Sequence, residues 1–372
     1  MNTAPMFDES IVGHRLSTLQ FDKWDSVVDS FEEKKYKESI LGLLDYIDST
    51  IIKKRGNKEK TEFTIPHGSL KVHFTINDKE ISLDAKFLKL PQKNYLPMLR
   101  QITEINFSVL NLTKIVLHGD ELFFEMKSPI ELCEPYKLYY IFSEVCTNAD
   151  YYDDFFIEKF GATRLQEMEV EPFAKKDLDF AWDRYQAYLK EGLQSADYYM
   201  EKRLSGFAWD AFCTTLMKID YVMAPQGYLI SDIKKTHGEL YGDSSIEEKI
   251  IATRKSITKL LEYSKEKFSE SMYIPSFFIS PRAKYTVANV QDGFKEQFER
   301  AQKEMGNADY TAATYTVLFS IYDMFARNNV PENVATILTK SLKKSSQKPW
   351  KEAAEILYKG INDVMNLKRN NE

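Results

Sequence analysis

The spacing of hydrophobic positions changes period along the chain, and those changes divide it. Residues 1–20 show weak periodicity and read as a loose leader. From Phe21 the helical period begins, with Trp24, Val27, Val28 and Phe31 on one side. A second stripe, Ile40, Leu43, Leu44, Ile47 and Ile51, predicts one helix over 36–53. The cluster Lys53-Lys54-Arg55 suits its C-terminus, and Gly56 predicts a left-handed cap. The period then drops to two. Leu70, Val72, Phe74 and Ile76 alternate with Lys71, His73 and Thr75, and Ile81, Leu83, Ala85 and Phe87 continue the alternation beyond an Asn77-Asp78 turn. An earlier strand runs through Phe63 and Ile65. A helix over 96–107 follows, then strands over 114–117 and 122–127 joined by Gly119-Asp120. A long helix over 135–160 carries Leu138, Ile141, Val145, Ala149, Tyr152 and Phe156 on one stripe, and Gly161 ends it.

The predicted order is α-β-β-β-α-β-β-α, an α+β domain over 21–172 with an antiparallel five-stranded sheet and helices on one face. Beyond Pro172 only helical stripes recur. Ser244-Ser-Ile-Glu247 reads as a capping box for a helix through Ile250, Ile257 and Leu260. Further stripes run through Phe294 and Phe298, through Tyr310 to Met324, and through Trp350 to Met365, while Pro331 predicts the start of a short helix. Residues 173–372 are therefore expected to form an all-α bundle without a sheet, interrupted by a loop over 273–281.

The segment Ser143-Glu-Val-Cys-Thr-Asn-Ala-Asp-Tyr-Tyr-Asp-Asp-Phe-Phe-Ile-Glu-Lys-Phe-Gly161 and the strand Glu121-Leu-Phe-Phe-Glu125, set in that element order, resemble the YbjN-like family, whose fold is shared with type III secretion chaperones. The resemblance covers roughly residues 20–165 and leaves the helical half without a counterpart. It implies a small non-enzymatic domain that often dimerises and presents a protein-binding surface, with no catalytic residues.

Composition narrows the partners. The 372 residues carry 50 basic and 56 acidic side chains, a net charge of -6 that disfavours nucleic acid. No apolar run approaches the roughly 20 residues that span a bilayer, so no membrane is expected. The N-terminal residues lack a basic then apolar signal pattern. Cys133, Cys146 and Cys213 are scattered and form neither a disulfide framework nor a metal knuckle, which fits a cytoplasmic location.

The candidate chemistry is sparse. His67 and His73 would share a face on a continuous strand, with His118 nearby, yet no cysteine or carboxylate completes a metal site. Cys133 and Cys146 read as small buried hydrophobes rather than nucleophiles. Asp150, Asp153 and Asp154 lack calcium-loop spacing and read as a solvated helix face or an acidic docking patch. Lys340, Lys343, Lys344, Lys348 and Lys351 around Trp350 read as solvated. No phosphate-binding glycine loop or nucleophile elbow occurs. The expectation is thus no cofactor, no metal and no catalytic residue. The predicted activity is binding of a protein partner or of a second copy of the chain. Leu122, Phe123, Phe124 and Met126, with apolar groups on both strand faces, are the candidate surface, together with Asp150 and Asp154. The alternative is an enzyme with its site at the junction of the two domains, built without a local motif.

Overall fold

A computed structural model describes residues 3–13 and 16–369. The chain forms two compact units. One comprises residues 18–171 together with 275–281, and the other 1–17, 172–274 and 282–372.

The first unit is the expected α+β domain. Helices α1 (Trp24–Glu32), α2 (Tyr36–Ile47) and α3 (Ile51–Arg55) precede strands β1 (Glu62–His67), β2 (Leu70–Ile76) and β3 (Glu80–Lys89). Helix α4 (Tyr95–Ser108), strands β4 (Lys114–His118) and β5 (Glu121–Pro129) and helix α5 (Pro135–Phe160) follow. The sheet order is β1-β2-β3-β5-β4, antiparallel throughout. A further two-residue strand, β6 (Thr163–Arg164), pairs with the end of β3.

The alternation seen in the sequence is the alternation of burial. Along β2 every odd position of the strand is buried and every even one is half-exposed. A bulge between Lys86 and Leu88 interrupts the β3–β5 register. The extra residue lets both Phe87 and Leu88 point into the core. Helix α5 lies on the buried face, where Phe142 meets Phe74 at 5.2 Å and Phe156 meets Phe87 at 6.2 Å between ring centroids. It begins with Glu134 accepting from the Tyr136 and Lys137 amides and with Pro135 in the first turn, and it ends at Gly161 with φ of 76°. Each such side chain, fully buried, contributes roughly 1.5–3 kcal/mol.

The helix predicted over 36–53 is two helices. The Asp48 carboxylate accepts the Thr50 amide and turns the chain between α2 and α3. Gly56 is not a left-handed cap: its φ is -96°. It is small because a Cβ there would lie 2.6 Å from the Phe63 ring.

The second unit contains α6 (Lys175–Glu201), α7 (Ser205–Met223), α8 (Gly227–Gly238), α9 (Ile246–Leu261), α10 (Lys265–Glu270), α11 (Val287–Gly306), α12 (Tyr310–Arg327), α13 (Glu332–Ser345) and α14 (Trp350–Met365). The capping box stands one residue later than expected, on Ser245 and Glu248. The helix after Pro331 is 14 residues long rather than short. Two strands of two residues, Ala283–Lys284 and Asn328–Asn329, pair in parallel, and Tyr273–Pro275 is a third short strand. Segments this short carry no readable alternation, which is why no strand was expected there.

Residues 1–20 are not a loose leader, although Met1, Asn2, His14 and Arg15 lie outside the described residues. Ala4 and Phe7 are buried, and the Ala4 amide bonds the Lys348 carbonyl at 2.8 Å. An extended segment packed by distant residues has no period of its own, so the sequence pattern misses it.

Candidate functional site

The candidate residues on β5 divide between the two faces of the sheet. Leu122 and Phe124 have 0% exposure and Met126 8%. All three belong to the hydrophobic core and are thereby removed from any docking surface. Phe123 alone lies on the opposite, polar face. It is half-buried there by its own sheet, opposite Val116 and Lys86 and against the His118 ring at 5.4 Å.

Nor are the acids of α5 a freely solvated row. Asp154 pairs with Arg164 at 2.6 Å, and buried Asp153 lies 3.2 Å from the same guanidinium. The shorter contact goes to Asp154, which leaves Asp153 as a second carboxylate beside it. Burial first, and the Asp154 charge second, push Asp153 up to about 6, against the pull of Arg164. A carboxyl raised from about 3.9 in the unfolded chain holds an extra proton when folded, so stability falls as pH rises from about 4 to 6. Asp153→Asn removes this dependence. Its stability relative to the native chain is expected to rise by on the order of 2–3 kcal/mol between pH 4 and pH 7. Urea unfolding at both pH values measures it, and a pH-independent difference rejects the assignment.

Asp150 meets His67, which only a continuous strand would put on one face with His73. A turn at Gly68-Ser69 intervenes, so His67 ends β1 and points inward while His73 sits in β2 on the polar face. His67 Nε2 lies 3.1 Å from Asp150 Oδ2, and the Phe278 amide donates to Nδ1 at 3.2 Å. Burial opposes a charged ring, while Cys146 and Asp150 favour one. The amide donating into Nδ1 decides for the neutral ring, because a proton on Nδ1 would face another donor. Nearby the Gly68 amide bonds the Ser276 carbonyl at 2.9 Å, and the Phe278 ring packs on Phe142 at 4.9 Å. His67, Asp150 and Phe278 thus form a clasp that holds residues 275–281 in the α+β unit.

Buried Glu144 has a similar structural task. It accepts from the amides of Asn111, Leu112 and Thr113 and from the Thr113 hydroxyl, at 2.6–3.1 Å. Four donors on one carboxylate shape the link between α4 and β4.

An open recess of the unit lies outside the candidate residues. Phe21 precedes α1, Trp24 and Asp25 open it, Tyr46 lies in the last turn of α2, and Tyr136 and Tyr139 lie in the first turns of α5. Together they line a surface recess of about 450 Å³. Phe21 stacks on Tyr46 at 6.4 Å and 21°, while the other rings stand edge to face: Trp24 meets Tyr46 at 4.9 Å and 61°, and Tyr136 at 4.6 Å and 65°. Tyr46 meets Tyr139 at 6.3 Å and 72°. The Trp24 indole N–H donates to the Tyr136 hydroxyl at 2.9 Å and locks both rings. Burial, then Tyr139 and Tyr136, push the Tyr46 phenol up to about 12, and burial pushes Tyr139 up as well. The Tyr46 and Tyr139 phenols therefore stay neutral near pH 7. Such a wall offers π-faces and hydroxyls, not a base. The sequence signal was present in the apolar stripe of α1, but only packing joins it to Tyr46 and Tyr136.

In the helical unit three of the five lysines near Trp350 are partnered, Lys343 with Glu9, Lys348 with Glu352, and Lys351 over the Tyr310 ring, while Lys340 and Lys344 are exposed as expected. Among the described residues no group of three or more His, Cys, Asp or Glu is placed to hold a metal ion, and no helix is long and apolar enough to cross a membrane. Fold and recess together define a class, an α+β sheet domain with an open aromatic surface site, linked to a helical unit. No protein-family model matches the chain, and comparison with curated proteins finds no match.

Proposed function

We propose that this is a non-enzymatic protein of chaperone-like or adaptor type, which binds a protein partner or a second copy of itself through its α+β unit. The YbjN-like resemblance of that unit agrees with the reading. The observation that carries it is the aromatic recess between α1, α2 and α5, a concave surface of locked rings with Tyr136 61% exposed at its edge. Aromatic anchors in such concavities supply most of the affinity of protein interfaces. The surface first expected, on β5, is replaced by this one because Leu122, Phe124 and Met126 are core. A reducing, cytoplasmic setting agrees with the three buried free thiols, Cys133, Cys146 and Cys213.

A photo-crosslinking residue at position 136 tests the reading in cells. A discrete adduct with one protein, or with a second copy, is expected there and not at Lys127, an exposed position on the polar sheet face. Equal labelling from both positions, or none from 136, rejects the recess as the partner site.

A further inference from the structure

We propose that the recess receives a basic side chain, arginine or lysine, from an extended segment of the partner protein. The inference rests on the recess being the partner site and names what enters it.

Its walls are five aromatic rings and one carboxylate, Asp25. No lysine, arginine or histidine is among the described residues that line it. An aromatic face carries negative potential, and a cation within about 6 Å of a ring centroid is attracted to it. Trp24 stands at 61° to Tyr46 and 65° to Tyr136, so the rings that border the recess lie in different planes around it. The indole N–H, which would otherwise repel a cation, is engaged by the Tyr136 hydroxyl. Asp22 and Asp25 are exposed beside the rings, whereas Lys23 between them is paired with Asp45. The positive end of α5 opposes a cation at this place, but the Glu134 carboxylate caps its first amides and offsets it. The Tyr46 and Tyr139 phenols, held neutral, keep their hydroxyls as hydrogen-bond partners for a guanidinium.

The size of the recess argues for a side chain on a peptide rather than a free ammonium ion. About 450 Å³ leaves room for an alkyl stem against Phe21 and Tyr136, and both rings are exposed at its edge. Arginine and lysine carry such stems, with the charge at the far end.

The experiment uses the full chain and a Gly/Ser peptide containing two arginines. Its matched probe replaces both arginines with citrulline, which keeps the shape and removes the charge. Calorimetric titration is expected to show the arginine peptide binding about tenfold more tightly than the citrulline peptide, a difference that shrinks in high salt. Asp25→Asn and Tyr136→Ala, both at exposed positions, should each weaken arginine-peptide binding by about threefold or more while leaving the folded spectrum intact. Equal binding of the two peptides overturns the proposal, as does binding that ignores both substitutions. Tetramethylammonium binding more tightly than the peptide overturns the peptide as occupant. A crosslinked partner at position 136 with equal peptide affinities leaves the partner reading standing and removes the charge reading. Tight, substitution-sensitive arginine-peptide binding without any crosslink overturns the proposal of a partner segment and leaves only a recess that binds cations.

Discussion

Phe278→Ala is expected to destabilise the α+β unit by about 3–5 kcal/mol, the range for emptying a buried phenylalanine site. The residue is 3% exposed and belongs to the core of that unit, although it lies more than a hundred positions beyond α5. Its ring fills space against Phe142, and its amide satisfies His67 Nδ1. Loss of the ring leaves a cavity at the edge of the sheet and loosens the clasp. The check is hydrogen exchange of β1 and β2 amides, with Ile251→Ala on an exposed helix surface as a control within about 0.5 kcal/mol of the native chain. Unchanged protection of β1 and β2 in Phe278→Ala contradicts the assignment of residues 275–281 to this unit.

The second large effect is expected at Lys218. This lysine of α7 is buried, and its ammonium donates to Glu191 at 2.7 Å and to the Met6 carbonyl at 2.8 Å. It also lies 4.1 Å from the centre of the Tyr188 ring. Burial pushes the lysine down, and the Glu191 charge works back against it. Glu191 in turn accepts the Met6 amide at 2.8 Å, and Tyr188 donates to Asp8 at 2.7 Å. The group ties residues 6–8 into the helices. Lys218→Ala strands a carboxylate in a largely dry site, and removing one partner of a buried pair costs about 3–5 kcal/mol. Replacing both charges, Lys218→Met with Glu191→Gln, is expected to recover most of that loss, because no unpaired charge remains. Urea unfolding measures the cost. Limited proteolysis near the N-terminus should show the segment released in the single variant and held in the double one. A double variant as unstable as the single rejects the unpaired-charge explanation.

Both predictions concern residues whose roles no local pattern discloses, and the same division runs through the whole molecule. Alternation over 70–76 and 81–87 and the stripe over 135–160 were legible because burial on one face of a strand or helix imposes a period of two or 3.6 on the residues themselves. Such patterns, with the turns at Asn77-Asp78 and Gly119-Asp120, disclosed the five strands and the helices between them, whereas the pairing of β3 with β5 that joins the two groups came only from the fold. The same pattern showed that β5 has rings on both faces but not which face is covered. That depends on where α5 and the neighbouring strands pack, and it left Phe123 beside His118 and placed Phe124 in the core.

Charge was legible as composition but not as pairing. Asp153 and Asp154 looked like a solvated face because their partner, Arg164, stands on β6, outside the helix that displays them. The recess combines Phe21 and Trp24 with Tyr46 and with Tyr136 and Tyr139, residues from three stretches of chain that share no motif. Residues 3–13 and 275–281 form no helix and are aperiodic, so their burial depends on distant partners such as Lys218 and His67. The sequence by itself determined which residues must face a core and in what kind of element, because that constraint acts between near neighbours. The tertiary structure alone decided which core each aperiodic segment joins and which aromatic side chains meet at the surface, because contacts across long sequence separations leave no repeating trace along the chain.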